Sequence, residues 1–283
     1  MFFSDTVLIS DNIEMPVLSA GTAHLAGSQA SVCVAGAIAA GFRNIDTAIS
    51  YGNLPAVGAG IRSSGVDRGD IFLTAKLPAE IKSAEGVEAC VRQYLMDLDT
   101  GYIDLLLIHA PMPWNMMRGP KRFFRENLEA WGRMEKLCAG GRVRAIGVAN
   151  FKDVDLDNII HNASGYIPAV NQIRVHPGGS SAPALRATIS RGIVPQGHSP
   201  FGSGGCLAHP VILDMSARYG VSPERLCVRF SLQKGCCPVL DLREDCDAAG
   251  WAGLGFAISG IDMKTLSSLG IASKLKRVSA DGK

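Results

Sequence analysis

Eight short runs with strand character recur along this chain, separated by stretches with helical spacing, and that alternation restricts the fold more than any other feature. The strand-like runs lie at residues 17–21, 44–46, 71–76, 103–109, 143–148, 169–173, 194–198 and 236–240. Helical patterns fall at 30–40, 55–64, 84–98, 125–139, 154–161, 182–191 and 211–234, the last broken near Gly220. Units of roughly 25–40 residues suit parallel strands joined by crossover helices. The run Leu105-Leu-Leu-Ile108 is apolar at successive positions, as in a strand covered on both faces. A doubly wound sheet would want a Gly-x-Gly-x-x-Gly turn after its first strand. Residues 21–27 do not supply one, and Gly58-Ala-Gly60 falls inside a helical stretch. The pattern predicts an α/β fold, a single (β/α)8 TIM barrel over residues 1–283, preceded by an N-terminal β-hairpin that turns at Asp11-Asn12.

Composition narrows the function classes. Hydrophobic residues make up 47% of the chain and charged residues 19%, enough for a large core. The net charge is +2, so no cationic excess points to nucleic acid or an acidic membrane as partner. No apolar run approaches membrane-spanning length, and Asp5, Asp11 and Glu14 stand where a secretory signal would be basic and then apolar. A cytoplasmic protein is expected. The eight cysteines, at 33, 90, 138, 206, 227, 236, 237 and 246, show no Cys-x-x-Cys pair and no metal-ligand spacing. No metal is expected. Several, such as Cys33 and Cys227, sit inside apolar runs and read as buried thiols of a reducing compartment.

Three of the predicted strands end in a polar residue: Asp46, Lys76 and His109. Barrel enzymes assemble their sites from C-terminal strand ends, so the three should converge on one mouth. Tyr51 follows Asp46 by five residues on the loop leaving the same strand. The grouping is chemically coherent. A carboxylate keeps a buried lysine charged, and a cation beside a phenol lowers its pKa, giving a proton donor usable near neutral pH. His109 can hydrogen-bond a substrate oxygen.

The stretch Gly41-Phe-Arg-Asn-Ile-Asp-Thr-Ala-Ile-Ser-Tyr-Gly-Asn53 resembles the aldo-keto reductase superfamily. So do Leu73-Thr-Ala-Lys76, Tyr102-Ile-Asp-Leu-Leu-Leu-Ile-His-Ala-Pro111, the run from Gly141 to Phe151, Pro168-Ala-Val-Asn-Gln172 and Ser199-Pro-Phe-Gly202. These matches come in family order and cover residues 15 to about 235. The resemblance implies a (β/α)8 barrel that reduces a small-molecule carbonyl with a nicotinamide cofactor. Tyr51 would then be the general acid, tuned by Lys76 and Asp46, and His109 would orient the carbonyl. It further implies that Asn150 and Gln172 hold the carboxamide, with Gly21, Thr22 and Asp46 also at the cofactor. The loop Ser199-Pro-Phe-Gly-Ser-Gly-Gly205, with Phe201, Gly202 and Ser203, would wrap the pyrophosphate. The family is often monomeric, which makes a monomer the expected state.

The departures bear on cofactor and substrate. Ala149 replaces the usual serine before Asn150, and His198 stands where a tyrosine stacks on the nicotinamide. After the helix ending at Gly235 the family carries a lysine that grips the 2′-phosphate of NADP; here the position is Asp241, with Arg243 as a possible compensating cation. NADP is the family expectation, and NAD is the alternative, because an acidic residue can accept a ribose 2′-hydroxyl. Ala23 and Ala110 replace aromatic residues near the mouth, and Trp114 lies on the loop after the fourth barrel strand. Those changes imply a wider mouth lined by Ala23, Ala110 and Trp114, suited to a bulky or aromatic aldehyde or ketone. A second reading stands beside this one: a family barrel with a degraded cofactor site, acting as a binding protein or in a non-redox reaction.

Overall fold

In the computed structural model, which describes residues 5–117, 119–179, 182–243, 251 and 253–270, eight parallel strands close into a barrel. They are β3 (Ser19–Gly21), β4 (Asn44–Asp46), β5 (Phe72–Leu77), β6 (Ile103–Ile108), β7 (Val143–Ala149), β8 (Val170–Arg174), β9 (Val194–His198) and β10 (Cys237–Asp241). The seam is β10 against β3, with Asp241 opposite Gly21, and Gly21 in turn is opposite Asp46. Every residue of β5 and β6 is buried, as continuous apolar runs covered on both faces should be. Asp104 is the charged exception in β6, held by Arg68 at 2.8 Å, Arg144 at 2.6 Å and the Leu73 N–H at 2.9 Å. The predicted hairpin is formed by β1 (Thr6–Ser10) and β2 (Ile13–Pro16), antiparallel, with Asn12 at φ 59° in its turn. It lies at the end of the barrel where the strands begin: Met15 is fully buried, and the Pro16 carbonyl accepts from Asn44.

Helices alternate with the strands: α1 (Gln29–Ala39), α2 (Leu54–Ser63), α3 (Ala84–Leu98), α4 (Phe124–Ala139), α5 (Asp153–Asn162), α6 (Ala182–Ser190), α7 (Pro210–Tyr219) and α8 (Pro223–Gln233). The break expected near Gly220 separates α7 from α8. Gly220 adopts φ 64° as the left-handed cap of α7, and Ser222 caps α8 by accepting from the Arg225 N–H, with Pro223 in its first turn. A further helix, α9 (Gly260–Ser268), was not expected from the pattern; only Leu266 of its residues is buried, too weak an apolar stripe to announce a helix.

The cysteine expectation needs one correction. Cys90, Cys206, Cys227, Cys236 and Cys237 are buried free thiols and Cys138 is a partly buried one, but Cys33 is disulfide-bonded. Cys246 lies outside the described residues.

Tight helix packing depends on two glycines of α2. A methyl group at Gly58 would run into the Leu98 carbonyl at the end of α3, and one at Gly60 would stand 2.6 Å from the Ser31 carbonyl of α1. Backbone cannot give way as a flexible side chain can. Gly58→Ala should therefore destabilise the fold by about 1–3 kcal/mol in urea unfolding, despite the higher helix propensity of alanine.

Candidate active site

The site lies where the strands end. Lys76 on β5 is almost completely buried, an arrangement tolerable only if its charge is met. Its Nζ donates to Asp46 Oδ1 on the neighbouring strand β4 and, at 3.3 Å, to the Tyr51 hydroxyl. Tyr51 is delivered by a single 3₁₀ turn, Ile49–Tyr51, directly after β4 and closed by Gly52 at φ 69°. That turn is pinned from behind by the buried Tyr94 of α3, whose hydroxyl accepts from the Ile49 N–H at 2.6 Å and donates to the Lys76 carbonyl at 2.7 Å.

The second Asp46 oxygen accepts from Gln172 Nε2 at 2.7 Å. Gln172 also donates to Gln196 Oε1 at 2.6 Å, and Gln196 donates to Ser19 Oγ at 3.0 Å. A polar chain thus crosses the barrel interior from β3 through β9 and β8 to the Asp46–Lys76 pair. Thr22 joins the same rim, its hydroxyl donating to Thr47 at 3.0 Å.

His109 follows β6 directly, with Trp114 edge-on at 5.3 Å between ring centroids. Trp114 is 46% exposed, whereas Ala110 is fully buried and its carbonyl accepts from Lys82 at 2.9 Å. Ala23, just after β3 at the same mouth, is partly exposed. Asn150, at φ 62°, donates from its side chain to the His109 carbonyl at 2.9 Å and lies 3.2 Å from His198 Nε2. His198 Nδ1 faces Ser199 Oγ at 3.1 Å, which assigns the proton to Nε2 if Ser199 donates. Beyond it, Ser199, Gly202, Ser203 and Gly204 all have positive φ. Phe201 in this loop is buried and stacks on Trp251 at 6.0 Å, with the Arg243 guanidinium 5.9 Å from its ring centre. Asp241 ends β10 with its side chain 27% exposed, Oδ1 lying over Gly21 and Oδ2 at 3.7 Å from His24.

The family model for aldo/keto reductases matches residues 17–260. The chain belongs to the aldo-keto reductase family. It is 37% identical over 230 residues to an aldo-keto reductase of Mycolicibacterium vanbaalenii, covering 81% of this chain and 79% of the relative. To morphine 6-dehydrogenase of Pseudomonas putida it is 35% identical over 247 residues, at the same two coverages. The crystal structure of an aldo/keto reductase from Brucella melitensis superposes with a TM-score of 0.84 at 30% identity, over 93% of this chain and 98% of that one. As an aldo-keto reductase the chain is an NAD(P)H-dependent oxidoreductase acting on carbonyls of small molecules.

The structure of this aldo-keto reductase corrects one electrostatic expectation. Burial raises the Tyr51 pKa, and the opposing field of Lys76 does not cancel it, so the phenol titrates above 10.0 rather than below. Burial also works against the Lys76 charge, but Asp46 and Tyr51 outweigh it and the ammonium is held. His109 and His198 are each pushed down to about 3, first by burial and then by Lys76. Both imidazoles are neutral at physiological pH.

Several residues that shape the site carry no signal in the sequence. Lys82 is buried, its pKa lowered to about 8 by burial, and donates to Asn127 at 2.7 Å as well as to Ala110. Asn127 in turn holds the Pro111 carbonyl at 2.8 Å, fixing the start of the loop that carries Trp114. Asn53 similarly holds the Thr22 and Leu25 carbonyls at 2.8 Å each.

The two depressed imidazoles make stability pH-dependent. Their ordinary pKa is 6.5, so the unfolded chain takes up protons first and stability present above pH 6.5 is lost as the pH falls towards 3. Urea unfolding at pH 5 rather than 7 should show a loss on the order of 1–2 kcal/mol for each imidazole. His198→Tyr should remove about half of that dependence.

Proposed function

We propose that this single-domain barrel reduces an aldehyde or ketone with Tyr51 as the proton donor. The observation that carries the reading is Lys76, buried between Asp46 and the Tyr51 hydroxyl at the strand ends. A phenol with a raised pKa is protonated throughout the neutral range and has a proton to give. As charge develops on the carbonyl oxygen, the adjacent ammonium of Lys76 favours the phenolate left behind. Neutral His109 donates a hydrogen bond to the same oxygen and orients the carbonyl, while Asp46 keeps Lys76 charged and in place. The nicotinamide cofactor, when bound, supplies the hydride.

The chain's own groups fit that cofactor. Gln172 Oε1 has no partner among the described residues, while its Nε2 is committed to Asp46 and Gln196. The loop from Ser199 to Gly204, with positive φ at Ser199, Gly202, Ser203 and Gly204, is the segment that would meet the diphosphate. Asn150 and Gln172 would hold the carboxamide, His198 would lie against the ring, and Gly21, Thr22, Ser199, Phe201, Gly202 and Ser203 would line the remainder. This fit favours the reductase over a barrel with a degraded cofactor site. Titration with NADPH and NADH, followed by tryptophan fluorescence, separates the two: binding of neither would support the degraded-site reading.

The smaller side chain at Ala23 and the exposed Trp114 favour a bulky or aromatic carbonyl. The family resemblance favours a monomer; the six free thiols among the described residues favour a reducing cytoplasm, whereas the disulfide at Cys33 weighs against it.

Tyr51→Phe should lower turnover by about 10²–10⁴-fold while leaving cofactor affinity nearly unchanged. The contribution of Tyr51 to wild-type reduction should decline only on the alkaline side, above the ordinary phenol pKa of 10.0. A variant that kept most of its turnover would remove Tyr51 from the reaction.

For the cofactor choice, Asp241 places an anion on the rim next to Gly21, and Arg243 is the nearby cation. We expect only a weak preference for NADPH in the wild type. Asp241→Lys should shift the NADPH to NADH affinity ratio towards NADPH by about tenfold or more, roughly 1.4 kcal/mol. Competition binding measures it, and an unchanged ratio would separate Asp241 from the cofactor site.

A further inference from the structure

A cleft of about 640 Å³ opens beside Asn150, between the loops that follow β7 and β8. Its walls are largely apolar: Met117, Phe151, Val154, Ile173, Pro183 and Ala184. Two cations also line it, Arg174 at the end of β8 and Lys152 at the start of α5, together with one anion, Asp153. That anion is already committed, its Oδ1 lying 2.6 Å from Arg191.

Arg174 differs from arginines paired with carboxylates elsewhere in the fold, and from Arg43 and Arg229, whose guanidinium groups donate to backbone carbonyls. Arg68 and Arg144 share Asp104, Arg133 is paired with Glu88, and Arg191 is paired with Asp153 and Asp157. Arg174 meets no carboxylate among the described residues. Among the described residues its one hydrogen bond is from Nη2 to the Ser203 hydroxyl at 3.1 Å, and its buried Nε has no acceptor. The Nη groups of a guanidinium without a carboxylate partner present a planar pair of donors that matches a carboxylate in particular. Lys152 likewise forms no ion pair among the described residues. An inorganic anion would leave most of this volume and its apolar lining unused, whereas the volume is typical of a site for an organic molecule.

We propose that this cleft, which adjoins the proposed cofactor site at Asn150, is a second ligand site for an organic monocarboxylate with a compact apolar body. The carboxylate bridges Arg174 and Lys152, and the apolar body lies between Met117, Phe151 and Pro183. Because Asn150 lines the cleft and also bonds the His109 carbonyl, such a ligand touches a residue that contacts the reaction centre. The inference concerns binding alone and stands or falls independently of the reductase reading.

Calorimetric titration of the full chain with 4-phenylbutyrate and with its neutral amide, each with and without saturating NADH, tests it. The acid should bind at least tenfold more tightly than the amide, and NADH should leave its affinity within about threefold. Arg174→Gln should weaken the acid by tenfold or more without affecting the amide, and Arg174→Lys should recover part of the loss. Ala184→Trp, which fills the cleft while leaving both cations in place, should abolish binding of the acid. The circular dichroism and melting temperature of each variant establish that it is folded. Equal affinity for acid and amide, or no binding of the acid, would overturn the proposal. Displacement of the acid by NADH would also overturn it, assigning Arg174 to the dinucleotide instead.

Discussion

The ammonium of Lys76, buried among apolar strands, is the interaction on which the mouth of this barrel is organised. Removing a cation from water costs several kcal/mol unless an anion and further hydrogen bonds meet it. Asp46 supplies the anion from the next strand, and the requirement then spreads. Asp46 needs a second donor, which is Gln172; Gln172 needs an acceptor, which is Gln196; and Gln196 reaches Ser19. A line of polar groups is thereby committed across an interior otherwise filled with aliphatic side chains. The phenol of Tyr51 completes the lysine's shell on the open side, so the group best placed to exchange a proton is also part of what keeps the charge buried.

Much of this was legible in the sequence because the determining patterns are local. The spacing of apolar runs predicted all eight barrel strands, with ends displaced by no more than two residues, since period and length identify a strand buried on both faces. Asp46, Lys76 and His109 were marked by their position at the ends of such runs, and Tyr51 by its distance from Asp46. The supporting residues were not legible. Tyr94, Gln196, Lys82 and Asn127 look like ordinary polar positions on helices, loops and strands, and their roles exist only through partners far along the chain.

The sign of the Tyr51 shift shows where qualitative electrostatics misleads. A neighbouring cation does lower a phenol's pKa, and the sequence places that cation correctly. How deeply the ring is buried cannot be read from spacing, and burial is the larger influence here. The same burial leaves both imidazoles neutral, which makes them hydrogen-bonding groups rather than charges at physiological pH.

The seam of the barrel has a consequence for how the molecule is made. β3 and β10 are more than two hundred residues apart in the chain, yet Gly21 and Asp241 are paired neighbours on the rim. Closing so long a loop is entropically unfavourable until the contacts it brings are in place, and contacts of such separation slow folding. During synthesis the first seven barrel strands can associate as an open curved sheet, with Asp46, Lys76 and Tyr51 already adjacent, while the rim stays breached at the side of Gly21. Only the arrival of the last strand seals it. A nascent chain would therefore hold its ionisable cluster in place before it possessed a closed mouth.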